Sequence, residues 1–186
     1  MVRASLPVTA LALGLVMIPA GAAGQTHAEV RGAYTVGSHS ATAAGMEKAP
    51  AFSFEVLVSR QVTPLFSLYG GYARTAFGCE EGFCVDLNPT ITGNHGVLGA
   101  QAHKSWAWAR VGVLFGKTEV GSGGESPDVG PGLHVGVGGL VGTGRLQLTP
   151  GVSFRYMSAR TPSSSDHAVA LGLDLGVRVR LGGPET

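Results

Sequence analysis

Between Val169 and Leu181 every odd position is aliphatic, while the even positions hold Ala170, Gly172, Asp174, Gly176, Arg178 and Arg180. Successive side chains of an extended strand point to opposite faces, so this segment reads as a strand with one oily and one small or charged face. The same period of two recurs upstream. Leu133, Val135, Val137 and Val141 alternate with His134, Gly136, Gly138 and Gly142. Phe52, Phe54, Val56 and Val58 alternate with Ser53, Glu55 and Ser59. Leu146, Leu148, Val152, Phe154 and Tyr156 alternate with Gln147, Thr149, Ser153 and Arg155. A chain patterned this way builds sheets.

Eight strands are expected, at about 28–37, 51–60, 65–77, 91–103, 106–118, 131–143, 146–158 and 167–181. Most are longer than the roughly 5–6 residues of soluble strands and match the roughly 9–11 needed to cross a bilayer at a tilt. The connections alternate in length without exception. Gln61 to Pro64, Lys104-Ser105 and Gly144-Arg145 are tight; Ser38 to Pro50, Gly78 to Thr90, Glu119 to Gly130 and Ala159 to Asp166 are long and polar. Short periplasmic turns and longer external loops are the layout of outer-membrane barrels. The expected fold class is therefore all-β, an eight-stranded antiparallel up-and-down transmembrane β-barrel. Closure pairs every backbone group and leaves no edge in hydrocarbon.

Composition agrees. Charged residues are 13 % of the chain, against about 25 % in ordinary soluble domains. No basic cluster stands out, so nucleic acid is not an expected partner. After the first residues no run of 18 apolar residues occurs, and the uncharged stretch from Val129 to Gly144 is too rich in glycine to hold a helix.

Residues 1–24 read as an export address. Arg3, the apolar run Leu6 to Ile18, Pro19 and the small residues Ala20 to Gly24 form the three parts of a secretory signal peptide. Residues 25–186 then form the barrel domain, with 12 basic and 12 acidic residues once Arg3 is removed. Cys79 and Cys84, with four residues between them in a long connection, are expected to close a local loop disulfide in an oxidising compartment. Two free thiols or a metal site are the alternatives, and a zinc site needs more ligands than the segment offers.

Parity assigns Glu29, Arg31, Glu55, Arg110, Arg155, Asp174, Arg178 and Arg180 to the barrel interior. Buried charges without partners are costly, so these three acids and five bases are expected to form an ion-pair network that plugs the lumen. Tyr34, Phe52, Phe115 and Tyr156 fall near the external strand ends and Phe66, Trp106 and Trp108 near the periplasmic ends, as two interfacial girdles would require. Trp108 shares the parity of Arg110, and a bulge near Ser105 would be needed to turn it outward.

These strands, Leu65-Phe-Ser-Leu-Tyr-Gly-Gly-Tyr72 and Ala168 to Leu181 among them, resemble the OmpA-type and opacity-like group of small outer-membrane barrels over residues 25–182. The resemblance implies insertion by the barrel-assembly machinery, outer-membrane lipid as surroundings, and a structural, envelope-integrity, adhesion or small-solute role. Such chains usually end on an aromatic assembly signal, whereas this one ends Leu181-Gly-Gly-Pro-Glu-Thr186.

No catalytic set is expected. A lipid A deacylase of this size carries histidine, one residue, then serine-asparagine, and that pattern is absent. Ser165, Asp166 and His167 are adjacent rather than arranged as nucleophile, base and orienting acid, and Ser158 lies nearby. Gly136-Val-Gly138-Gly139-Leu-Val-Gly142 lacks the spacing of a nucleotide loop and the helix that would follow it. His27, His39, His95, His103, His134 and His167 are scattered, so neither metal nor cofactor is expected. The competing readings are a lipid-modifying enzyme using Ser158, Ser165 or His167, and a soluble lipocalin-like binder with its aliphatic faces turned inward. A monomer is the expected state.

Overall fold

The computed structural model describes residues 24–39, 50–78, 91–120, 128–160 and 165–182. The signal segment, Gly24 apart, and both cysteines lie outside them. The strands are β1 (Thr26–His39), β2 (Ala51–Gln61), β3 (Phe66–Phe77), β4 (Ile91–Lys104), β5 (Ala107–Val120), β6 (Gly130–Gly139), β7 (Leu146–Leu148), β8 (Gly151–Arg160) and β9 (Ser165–Gly182). All neighbours pair antiparallel, and β9 returns to pair with β1, closing the sheet.

β7 and β8 are one barrel strand. Leu148 opposes Val177 and Gly151 opposes Asp174, so the ladder to β9 keeps one register across the gap. Thr149 bridges the gap by exchanging backbone hydrogen bonds with Gly176. Pro150 has no N–H to donate, which is why the regular pattern breaks there. The barrel therefore has eight strands, as the alternation implies.

Its tilt follows from the registers. Stepping across partners from Ala28 through Val58, Gly70, Leu98, Val113, Leu133, Tyr156 and Val169 returns to β1 at Ser38, ten residues along. An eight-stranded barrel with such a stagger has strands inclined by about 35–45° and an interior that side chains can fill.

Two expectations are corrected. The sixth connection is wider than Gly144-Arg145, since β6 ends at Gly139 and beyond it the pairing is reduced to the Leu140 N–H on the Trp106 carbonyl and the Val141–Leu148 bridge. Gly142 and Gly144 carry φ of 111° and 82° there, angles that suit glycine. No bulge turns Trp108 outward. The β4–β5 ladder runs in one register from Ile91–Val120 to Lys104–Ala107, and the hairpin is closed by Ser105 at φ 36°. Trp108 thus stays on the inner face, 3 % exposed.

The molecule is inverted relative to a water-soluble barrel. Every barrel strand turns large apolar side chains outward: Val30, Val56, Leu68, Leu98, Val113, Leu133, Phe154 and Leu175 are all exposed. Tyr34, Phe52, Phe115 and Tyr156 ring the loop end of this belt, and Phe66 and Trp106 lie toward the tight-turn end. Inside, polar and charged groups are buried.

Candidate functional site

The inner face of each strand delivers its polar residues to one charged group in the lumen. β1 contributes Glu29 and Arg31, β2 Glu55, β5 Arg110, β8 Arg155 and β9 Asp174, all at most 6 % exposed. Arg31 and Arg110 both donate to Glu29, Arg110 Nη2 at 3.0 Å from Oε2. Arg155 Nη2 donates to Glu55 Oε1 at 2.6 Å and its Nη1 to Thr75 at 3.1 Å. Thr149 donates to Glu29 at 2.8 Å, and Ser153 to Asp174 at 3.1 Å.

Longer contacts join these pairs into one network. Arg31 lies 4.0 Å from Glu55 and 3.6 Å from Asp174, and Arg110 lies 3.8 Å from Glu55. These exceed direct hydrogen-bond lengths and act through charge alone. Three guanidiniums face three carboxylates, so this part of the lumen is electrically balanced. Such charges tolerate burial because each is paired and hydrogen-bonded.

Arg178 and Arg180 stand apart from that group. Arg178 is buried beside His27, 3.0 Å from its Nδ1, and Arg180 is partly exposed at the tight-turn rim. Between them and the loops the lumen is occupied: on the loop side Phe77, Ile91, Leu114, Met157 and Ala168 pack as an apolar cluster. At the tight-turn end a cavity of about 800 Å³ opens, and Arg178 lines it.

Sequence reasoning missed the platform that carries the network. Trp108 lies flat under two guanidiniums, with Arg31 and Arg110 carbons 4.2 and 4.4 Å from the ring centre, and its Nε1 donates to the Gly139 carbonyl at 2.9 Å. Cation–π contacts of this kind strengthen when desolvated. The ring fits because its strand partner is Gly138. A Cβ on Gly138 or Gly151 would stand 2.6 or 2.5 Å from Trp108 Cζ2. The glycine run of β6 is thus the slot for an indole, and a bulky inward residue opposite a glycine run was its available signal. His134 was also missed as a member: its Nε2 lies 3.3 Å from Glu55, and its Nδ1 lies 3.4 Å from the Tyr69 hydroxyl.

The rim residues weighed as an enzyme behave differently. Ser158 and His167 are cross-strand partners near the loops, and the His167 ring stacks on Tyr156 at 5.4 Å. Asp166 neighbours His167 in one strand and so points to the opposite face. The acid that would orient the imidazole is turned away from it. Among the described residues no three His, Cys, Asp or Glu side chains gather as a metal set.

Solved structures share this architecture. Neisserial surface protein A is 18 % identical, with a TM-score of 0.58 over 84 % of this chain and 97 % of its own. The outer membrane protein OprG of Pseudomonas aeruginosa is 13 % identical, with a TM-score of 0.51 over 84 % of this chain and 96 % of its own. No protein-family model matches the sequence. No curated sequence is similar to it at a significant level. The likeness establishes the fold, that of the small eight-stranded outer-membrane barrels.

Proposed function

We propose that this chain is an exported, monomeric outer-membrane barrel. It serves as a rigid scaffold that presents its long connections outside the cell, in adhesion, interaction or envelope integrity, and it is neither an open pore nor an enzyme. One observation carries the reading: an aliphatic belt on all eight strands faces outward while paired charges are buried inside. In water that belt would be an exposed apolar surface far larger than soluble monomers carry. In lipid it is the surface expected, and the aromatic residues at its two margins suit the bilayer interfaces.

Two proteins of similar fold are a neisserial surface protein and an outer membrane protein of Pseudomonas aeruginosa, which agrees with that location. The balanced network and the apolar cluster on its loop side support a sealed lumen. Among the described residues the aliphatic faces point outward, whereas a soluble lipocalin-like binder would turn them inward, and Asp166 and His167 lie on opposite faces of β9, which lends the lipid-modifying reading no support. The reading also implies a cleaved signal peptide and insertion by the barrel-assembly machinery, with the tight-turn end in the periplasm.

The test is electrophoresis of the outer-membrane fraction with and without boiling. A band in that fraction whose mobility changes on heating is the expected result. Recovery from the soluble periplasm or medium with no heat shift would overturn the proposal.

A further inference from the structure

The tight-turn end of the lumen is a cationic vestibule. Its cavity of about 800 Å³ is lined by Arg178, Arg180, His27 and His103, with the amides of Gln61 and Gln147. None of the described residues lining the cavity is acidic. The rim around it carries Arg60, Lys104 and Arg145, again without a carboxylate among the described residues. Glu29 is the nearest acid across the ladder, opposite Arg178. Its oxygens are already engaged by Arg31, Arg110 and Thr149. Neither Arg178 nor Arg180 has a carboxylate in ion-pair contact among the described residues, unlike Arg31, Arg110 and Arg155.

Arg178 is 3 % exposed, and its Nε, like those of Arg31, Arg110 and Arg155, has no hydrogen-bond partner among the described residues; what sets Arg178 apart is that no carboxylate pairs with it there and that it lines the cavity. Its Nη2 reaches His27 Nδ1 at 3.0 Å. A guanidinium can only donate, so Nδ1 accepts and the neutral ring keeps its proton on Nε2, where it is a further donor. Nδ1 of His103, in the same wall, also has no hydrogen-bond partner among the described residues. A buried guanidinium with unused donor capacity, backed by a neutralised network and open to a cavity with no acid among its described lining residues, matches a planar or tetrahedral oxyanion. Arginine forks suit phosphate oxygens in particular.

The geometry points to a binding site for a phosphate-class oxyanion in this vestibule, held by Arg178 with Arg180 and His27, on the face that the proposed orientation turns to the periplasm. The same phosphate chemistry is offered by a free periplasmic solute and by a lipid headgroup at the rim. In either case the bound anion supplies the counter-charge that the protein interior withholds from Arg178.

The experiment uses the barrel in maltoside micelles, which carry no phosphate, with the heat-shift gel confirming that each variant is closed. Inorganic phosphate is titrated by calorimetry and by the nitrogen-15 signal of the Arg178 Nε–H. Expected are one saturable site, a shift of that signal, and affinity at least about tenfold weaker in Arg178→Gln and in Arg180→Gln. The rim pair Lys104→Gln/Arg145→Gln should bind as wild type does. Transfer to phosphatidylglycerol bilayers separates the sources: a signal shifted before phosphate is added marks a lipid headgroup, and one that moves only on addition marks a free solute. Absence of saturable binding in both media would overturn the inference, as would equal weakening by the rim pair and by Arg178→Gln. The heat-shift gel reports separately on the outer-membrane reading.

Discussion

Replacing Glu55 by Gln keeps nearly the same volume and removes one charge from the centre of the lumen. Glu55 is 1 % exposed and is the acid on which the network converges, with Arg155 at 2.6 Å, His134 at 3.3 Å, Arg110 at 3.8 Å and Arg31 at 4.0 Å. The variant leaves three guanidiniums facing two carboxylates in a space that water does not reach. Breaking one partner of a buried pair costs about 3–5 kcal/mol, because the other charge stays buried without compensation. At about 1.4 kcal/mol per tenfold, the folded-to-unfolded ratio should fall by roughly a hundredfold to several thousandfold. Arg155→Gln alone should cost a comparable amount. The double variant Glu55→Gln/Arg155→Gln restores the balance of charge and should be less destabilised than the sum of the two, with about 0.5–3 kcal/mol of coupling. The assay is reversible urea unfolding in lipid vesicles, followed by tryptophan fluorescence, with the heat-shift gel as a second probe. A loss under about 1 kcal/mol for Glu55→Gln, or strict additivity in the double variant, would show that the ion pairs seen here do not couple and would refute the reasoning.

The other predictions concern the slot, the belt and the seal. Gly138→Ala places a Cβ against Trp108 Cζ2 and the Pro150 carbonyl and should cost about 1–3 kcal/mol through overpacking, with a changed tryptophan emission spectrum; an unaltered urea midpoint would contradict the packing. Leu173→Arg, midway along β9 and 69 % exposed, should destabilise the barrel in vesicles by about 2–4 kcal/mol. A neutral effect of Leu173→Arg in lipid would place that surface in water instead. In planar bilayers the wild-type protein should show no steady conductance, whereas Arg31→Ala/Glu55→Ala, which removes two buried side chains from mid-lumen, should produce brief openings. Steady wild-type current would contradict the sealed lumen.

How much was legible beforehand differs between the shell and the interior. Alternation and connection length determined the number of strands, their approximate ends and the outer face, because a strand's period is two and lipid accepts only apolar side chains. Glu29, Arg31, Glu55 and Asp174 could be placed inside by the same parity, since charge on the outer face would sit in hydrocarbon. What parity cannot supply is height and azimuth. Only the ten-residue stagger of closure decides that Arg155 meets Glu55, a hundred positions away in the chain, while Arg178 is left beside His27. Trp108 shows the same limit. Its aromatic type argued for an interface and its parity for the interior, and the conflict was settled by glycines on β6 and β8 that make room for the ring only once those strands are side by side. Pattern is a local property of each strand and is written in the residues. Partnership across a lumen depends on the tilt and register of the whole closed sheet, which no single strand contains.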